Sequence, residues 1–255
     1  MKVLFLGSNF GNGHLQFLTL RRLYQNIEKI DPSCGFGRNR FISYIFHKIS
    51  PKIFEPLINI YVNTRIKNNY DLIYVKSGEY IGKNLIINLK KKTKKIIYYC
   101  NDNPFIKRDK KRWDLFHTAS KFYDLLVFQD KSRLSGAKKR GLKKIVIVVP
   151  PYDKNVHKKT NFKKKGKDVV FVGSWSEQKG NLIKKLIELG LNIKIYGSNW
   201  KKDKNFHLIE KYITIGHLNY HNYTKIIRSS KIAIALYSNE NKDSITARSL
   251  EIPAI

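Results

Sequence analysis

The sequence is poor in cysteine, in acid and in long apolar stretches. Only Cys34 and Cys100 occur among 255 residues, far apart, with neither the density of a disulfide framework nor the paired spacing of a zinc site. A secreted disulfide scaffold is therefore excluded, and the cytosol is the expected compartment. No apolar run approaches the ~18–20 residues of a transmembrane helix, and Met1 leads directly into a strand-like VLFL instead of a signal peptide. An integral membrane protein and a coiled coil are excluded too. Acid is scarce: 19 Asp and Glu stand against 50 Lys and Arg, a formal charge of +31.

That balance invites nucleic acid, an anionic substrate or an anionic membrane surface as partner. The excess is 39 Lys and only 11 Arg, accompanied by 32 Ile and 22 Asn. Such a joint enrichment reads as a biased coding composition spread over solvated surfaces. Base-reading and phosphate-clamping sites favour the planar fork of Arg, so no specific nucleic-acid partner is expected. The runs KKKTKK (90–95) and KKKGK (163–167) fall where solvated surface or linker belongs.

What is present suffices for a core: 42% of residues are hydrophobic and 13% aromatic. The apolar runs are short, β-branched and separated by helical patterns, the mark of a parallel α/β architecture. Strands are predicted at 2–7, 71–76, 95–100, 125–130 and 145–150. A helix over 14–29 carries Leu15, Leu18, Leu23 and Ile27 at helical spacing. Residues 38–66, around Pro51, read as two helices packed on the first sheet; a membrane-facing acceptor surface is the alternative. From 151 to 167 apolar density collapses into a linker. The pattern then restarts with strands at 168–173, 192–197, 212–216 and 231–237 and helices at 181–190 and around 220–229. A last helix is expected over 244–255, with Asp243 as its N-cap. The organisation is thus two Rossmann-like parallel-sheet domains, 1–150 and 168–255, with the second incomplete.

In open parallel sheets ligands bind beyond the carboxyl ends of the strands, where helix N-termini aim N–H groups at anions. The loop GSNFGNGH (7–14) offers three glycines before a helix but is neither a dinucleotide fingerprint nor a Walker loop, so a plain turn is equally open. His14 at that helix start would touch substrate or lie on the surface. FVGSWSEQKGN (171–181) sets Gly173 and Ser174 at a strand end and Lys179 just before a helix, a unit able to hold a diphosphate with backbone donors and one ammonium. Gly197 and Trp200 offer a second glycine opening and an aromatic face, and Gly216 a third, where backbone over 216–218 would read a base edge. In DSITARSLE (243–251), Asp243 and Glu251 stand about two helical turns apart, with Arg248 one turn before Glu251. A carboxylate accepts both hydrogen bonds of a ribose diol, and Arg neutralises a diphosphate; an ordinary surface helix is the alternative. His217 and His221 lack a third ligand, no metal site is evident, and no serine has the context for acyl transfer.

The ordered series DVVFVGSWSEQKGNLIKKLIELGLNIKIYG, ITIGHLNYHNYTKIIRSSKIAIALYSN and DSITARSLEIPA resembles the donor-binding half of GT-B glycosyltransferases, nearest to the CgeB-like branch akin to glycosyltransferase family 4. The resemblance spans most of 71–255 and is weaker before. It implies a nucleotide-sugar donor as substrate, no cofactor and no metal, and a glycan, lipid or protein acceptor in an inter-domain cleft. Glu251 would hold the ribose from a cleft-facing position, with Arg248 or Lys179 near the diphosphate. Gly173 and Ser174 would lie at the phosphates, and His217 by the base. NDNPF (101–105) would face the cleft with Asp102 as its best carboxylate, so Asp102, Asp243 and His14 are the expected catalytic residues. Asp243 stands where the family often has Glu, and the segments that normally follow EIPA are missing, so a truncated, poorly active chain is expected. A sugar-nucleotide epimerase and a non-catalytic basic binding protein on the same fold are the rival functions.

Overall fold

The computed structural model describes residues 1–33, 36, 39–159 and 169–255. Cys34, the basic run 163–167 and the linker from 160 onward lie outside the described residues. The chain divides into two units, Met1–Val149 with Ser238–Ser244, and Pro150–Tyr237 with Ile245–Ile255.

The first unit alternates β1 (Val3–Leu6), α1 (Gly11–Leu23), β2 (Ile27–Ile30), α2 (Arg40–Lys48), α3 (Glu55–Arg65), β3 (Leu72–Lys76), α4 (Lys83–Lys90), β4 (Ile96–Cys100), α5 (Asp114–Ala119), β5 (Leu125–Phe128), α6 (Arg133–Lys139) and β6 (Ile145–Ile147). Its six strands pair in parallel in the order β2-β1-β3-β4-β5-β6. All four residues of β1 are buried, as a strand covered on both faces requires, and its run is accordingly apolar throughout. Phe46 of α2 and Ile58 and Val62 of α3 join the core of this sheet. From β1 the chain goes to β2 on one side and then to β3 on the other. That reversal opens a crevice beyond the carboxyl ends of β1 and β3, where open α/β sheets place ligands.

The helix expected over 14–29 needs correcting. It stops at Leu23, Tyr24 is extended, and Ile27 enters β2, paired with Val3. Leu23 and Ile27 stand four apart, which mimics a helical face. Leu23 is exposed and Ile30 is the residue that β2 buries.

The second unit runs β7 (Val169–Val172), α7 (Glu177–Glu188), β8 (Ile193–Gly197), α8 (Phe206–Ile209), β9 (Ile213–Ile215), α9 (Tyr220–Ser229), β10 (Ile232–Ile234) and α10 (Arg248–Ala254). The parallel order is β10-β7-β8-β9. Alternation along β7 sends Val169 and Phe171 to one face, with Ile183 and Trp200. Val170 goes to the other, with Tyr223, Ile227 and Ile252.

Asp243 does not cap a helix over 244–255. The helix α10 starts at Arg248 with Ala247 at its cap, and Asp243 groups with the first unit. Other partners hold this stretch. The Arg133 guanidinium donates to Asp243 Oδ1 at 2.6 Å, and the Ser244 N–H and hydroxyl both donate to Asp130 Oδ2, at 2.6 and 2.8 Å. One ion pair and two hydrogen bonds to a carboxylate thus hold this stretch in place of a helix cap.

Candidate functional site

At the reversal between β1 and β3 the first unit holds a cavity of about 630 Å³. Its wall comes from the loop after β1 (Gly7 to Gly13), from Asp31 and Ser33 after β2, from Lys76 to Tyr80 after β3, from Asn101 and Asp102 after β4, and from Tyr61 of α3. Gly7 must be glycine because a Cβ there would stand 2.6 Å from the Phe5 ring and 2.9 Å from Lys76 Cβ. Beyond β3 the chain turns through two left-handed residues, Ser77 (φ 68°) and Gly78 (φ 71°). A side chain on Gly78 would also strike the Tyr98 ring.

Lys76 closes β3 with its ammonium buried. It donates to Asn101 Oδ1 and lies 4.9 Å from the centre of the Tyr99 ring. Burial lowers its pKa, opposed by Cys100, Asp102 and Glu79 nearby. Asp102, on the cavity wall, stands 3.5 Å from the Arg108 guanidinium and 3.4 Å from that of Arg112. Arg112 also pairs with Glu79, and these neighbours raise its pKa against the opposing effect of burial. This end of the sheet is a lattice of paired side chains, and with Asp31 it presents one lysine and three carboxylates to a cavity.

His14 lies outside that wall: it is exposed, with Nδ1 3.2 Å from Lys29 Nζ. Asp243 belongs to a buried cluster around Arg133, which also donates to Asn101 O at 3.1 Å. Of the three expected catalytic residues, the structure brings only Asp102 to the cavity. Lys76, Glu79 and Asp31 are cavity residues that sequence reasoning missed. The one signal for Lys76 was a lysine ending an otherwise apolar strand.

The second unit assembles its strand ends from backbone. A Cβ on Gly197 would lie 2.0 Å from Gly173 O, so the ends of β7 and β8 touch main chain to main chain. The Gly216 N–H donates to Gly197 O at 3.2 Å, which continues the row of glycines across β9. The following loop is fixed by Trp200 Nε1 donating to Gly173 O at 3.0 Å and Trp175 Nε1 donating to Asp203 at 2.9 Å. Ser174 is exposed, its hydroxyl 2.9 Å from that of Ser198. Lys179 Nζ reaches Ser174 O at 3.5 Å, from inside the first turn of α7, which begins directly after Ser176 and not at 181 as expected. Gly173, Ser174, Lys179, Gly197 and Gly216 thus share one sheet edge, with exposed His217 next to Gly216. Trp200 offers no face to a base or sugar, because it is fully buried in the core.

Arg248 and Glu251 form a second cluster in this unit. Arg248 lies over the Tyr223 ring at 3.9 Å and pairs with Glu251, whose other oxygen is 3.8 Å from His157 Nε2. Glu251 is buried at 7% exposure, so the expectation that it faces an open cleft is corrected. His157, which no sequence motif singled out, accepts from the Asp153 N–H through Nδ1. Burial lowers its pKa despite the nearby acids. Among the described residues no cluster of three or more His, Cys, Asp or Glu is placed to hold a metal, and no helix is long and apolar enough to cross a membrane.

Residues 178–255 match the family model described as Glycosyl transferase-like. Among solved structures, the chain resembles the UDP-forming α,α-trehalose-phosphate synthase of Burkholderia xenovorans, with a TM-score of 0.58 at 8% identity, over 100% of this chain and 81% of that one. That likeness decides the architecture. The fold is GT-B, two Rossmann-like α/β units. A UDP-GlcNAc 2-epimerase of Methanocaldococcus jannaschii, solved with UDP-GlcNAc and UDP, aligns over 91% of this chain and 78% of its own at 13% identity and a TM-score of 0.48. The Glycosylation Associate Protein (Gap123) complex from Streptococcus agalactiae aligns over 78% of this chain and 43% of its own at 12% identity and a TM-score of 0.40. No curated protein sequence matches the chain. The family match lies within the second unit, over 178–255, and the likeness to the trehalose-phosphate synthase gives the fold.

Proposed function

We propose that the protein transfers a sugar from a nucleotide-sugar donor held by the second unit to an acceptor held by the first. The observation that carries this reading is the glycosyl transferase-like match over 178–255, which includes Lys179, Gly197, Gly216, His217, Arg248 and Glu251. In this reading the donor diphosphate lies against the row of glycines, where the absence of side chains lets backbone come close. The N-terminal turn of α7 contributes the positive end of its dipole. Lys179 adds an ammonium and Ser174 a hydroxyl. When the sugar–phosphate bond breaks, negative charge grows on the departing diphosphate, and donors already fixed in place stabilise it without reorganising. Arg248 offers further positive charge, so a metal is not required. His217 lies by the base. Glu251, buried between Arg248 and His157, holds the Arg248 guanidinium in place for the donor. The acceptor occupies the cavity of the first unit, and its hydroxyl donates to Asp102. The series of motifs over 168–254 supports a CgeB-like, family-4-like member of the superfamily.

A thermal-shift titration tests this. UDP, GDP and ADP are compared with inorganic pyrophosphate, which controls for attraction by the +31 charge alone. One nucleoside diphosphate should raise the Tm saturably and beyond pyrophosphate, since a ligand at 100 times its Kd adds about 2.7 kcal/mol. If no nucleotide exceeds pyrophosphate, the donor reading falls and a basic binding protein replaces it.

A further inference from the structure

Soluble proteins scatter single exposed apolar side chains and avoid grouping them. The stretch from α2 to α3 breaks that rule. Phe41, Tyr44, Ile49, Ile53, Leu57 and Ile60 are each between 54% and 71% exposed, within twenty residues of sequence. They follow helical spacing where the backbone is helical: Phe41, Tyr44 and exposed Lys48 stand at i, i+3 and i+7 on α2, and Leu57 and Ile60 at i, i+3 on α3. The opposite faces carry Phe46, Ile58 and Val62 into the core. These helices are therefore fully committed inward and still apolar outward.

Charge within the stretch is mostly basic, although Asp114 accepts from the Ser50 hydroxyl at its turn. Between residues 40 and 65 the only acid is Glu55, and its Oε1 is buried, where a Cβ on Gly82 would meet it at 2.1 Å. Lys48 and Lys52 are exposed in the same stretch. The Lys48 ammonium lies close enough to that of Lys110 to lower its pKa, and Tyr44 also acts on Lys110.

We infer that the outward face of α2, the Pro51–Phe54 turn and α3 docks on an anionic lipid bilayer, its apolar side chains entering the acyl boundary and its lysines meeting the head groups. Aromatic and aliphatic residues with lysine neighbours are the composition that lies in a membrane interface. Each lysine near an anionic leaflet adds attraction that falls off within a Debye length. On α3 the next residue along, Tyr61, lines the 630 Å³ cavity. A docked bilayer would lie roughly one helix diameter, about 10 Å, from that cavity.

Vesicle flotation of the full chain tests the assignment, with phosphatidylglycerol–phosphatidylcholine vesicles against phosphatidylcholine alone. Binding should require the anionic lipid. The double variant Phe41→Ser/Ile60→Ser, which leaves net charge unchanged, should weaken partitioning about tenfold or more. The matched variant Leu189→Ser/Leu208→Ser, which removes two exposed leucines of the second unit, should leave it within about twofold. Circular dichroism confirms that each variant is folded. If the two variants bind alike, attraction is diffuse and the surface assignment is overturned. It is likewise overturned if light scattering shows a dimer of the parent chain that Phe41→Ser/Ile60→Ser dissociates, because a second copy is then the occupant.

Discussion

At the carboxyl end of the first sheet the chain places charged side chains in pairs; at the corresponding end of the second it places a row of glycines. Asp102, Glu79, Arg108, Arg112 and Lys76 are held by one another. Gly173, Gly197 and Gly216 are held by strand pairing and by main-chain contact. The first arrangement presents particular functional groups to a cavity. The second presents N–H groups and empty space, which suits a phosphate whatever is attached to it. In the proposed function, specificity by side chain would belong to the first unit and affinity by backbone to the second.

The division predicts how each end breaks. Arg133 is 1% exposed and serves Asp130, Asp243 and the Asn101 carbonyl. Arg133→Ala strands two carboxylates and should cost about 3–5 kcal/mol in urea unfolding. A cost under about 1 kcal/mol would show that these acids find other partners. Next in size is the acid limb. Burial alone would raise the Asp130 pKa, but hydrogen bonds from Ser132 and Ser244 outweigh it and hold the carboxyl at about 2. Its unfolded value is about 3.9, so its contribution of about 2–3 kcal/mol is complete above pH ~5 and is lost as pH falls from there toward 2. Asp130→Asn should flatten that part of the stability–pH curve; an unchanged slope would remove Asp130 from the account.

In the second unit the sensitive position should be a glycine. Gly197→Ala drives a methyl into Gly173 O, and the ends of β7 and β8 must part, at about 1–3 kcal/mol. Ser174→Ala at the same edge should stay within about 0.5 kcal/mol because the side chain is exposed. The reverse ranking would mean that side chains and not backbone build this edge. Smallest is Lys76→Met. It removes a desolvated charge and keeps the volume, so stability should change by no more than about 1 kcal/mol. A larger loss by calorimetry would make the ammonium a structural brace and not a group kept for a ligand.

The sequence made the strands of both sheets legible wherever β-branched runs ended in glycine or proline. It hid β2, four residues whose Ile27 continues the spacing of α1. It placed Asp243 and Glu251 on one helix, because eight residues fit two turns and nothing local shows that Arg133, 110 positions earlier, claims the aspartate. The glycine row was readable because only glycine permits such contact. Lys76 was not, since one lysine among 39 carries no mark of burial. Trp200 looked like a platform for a base; its position against Phe171 and Gly173 O is set by packing across strands.

Hydrogen exchange resolved by peptide, with and without the nucleoside diphosphate that raises the Tm most, bears directly on the division between the two ends. The nucleotide should slow exchange across 173–181 and 197–200 and leave 7–13 and 76–80 unchanged. Slowed exchange in the loops of the first unit, with none at the glycine row, would contradict the assignment of the donor to the second.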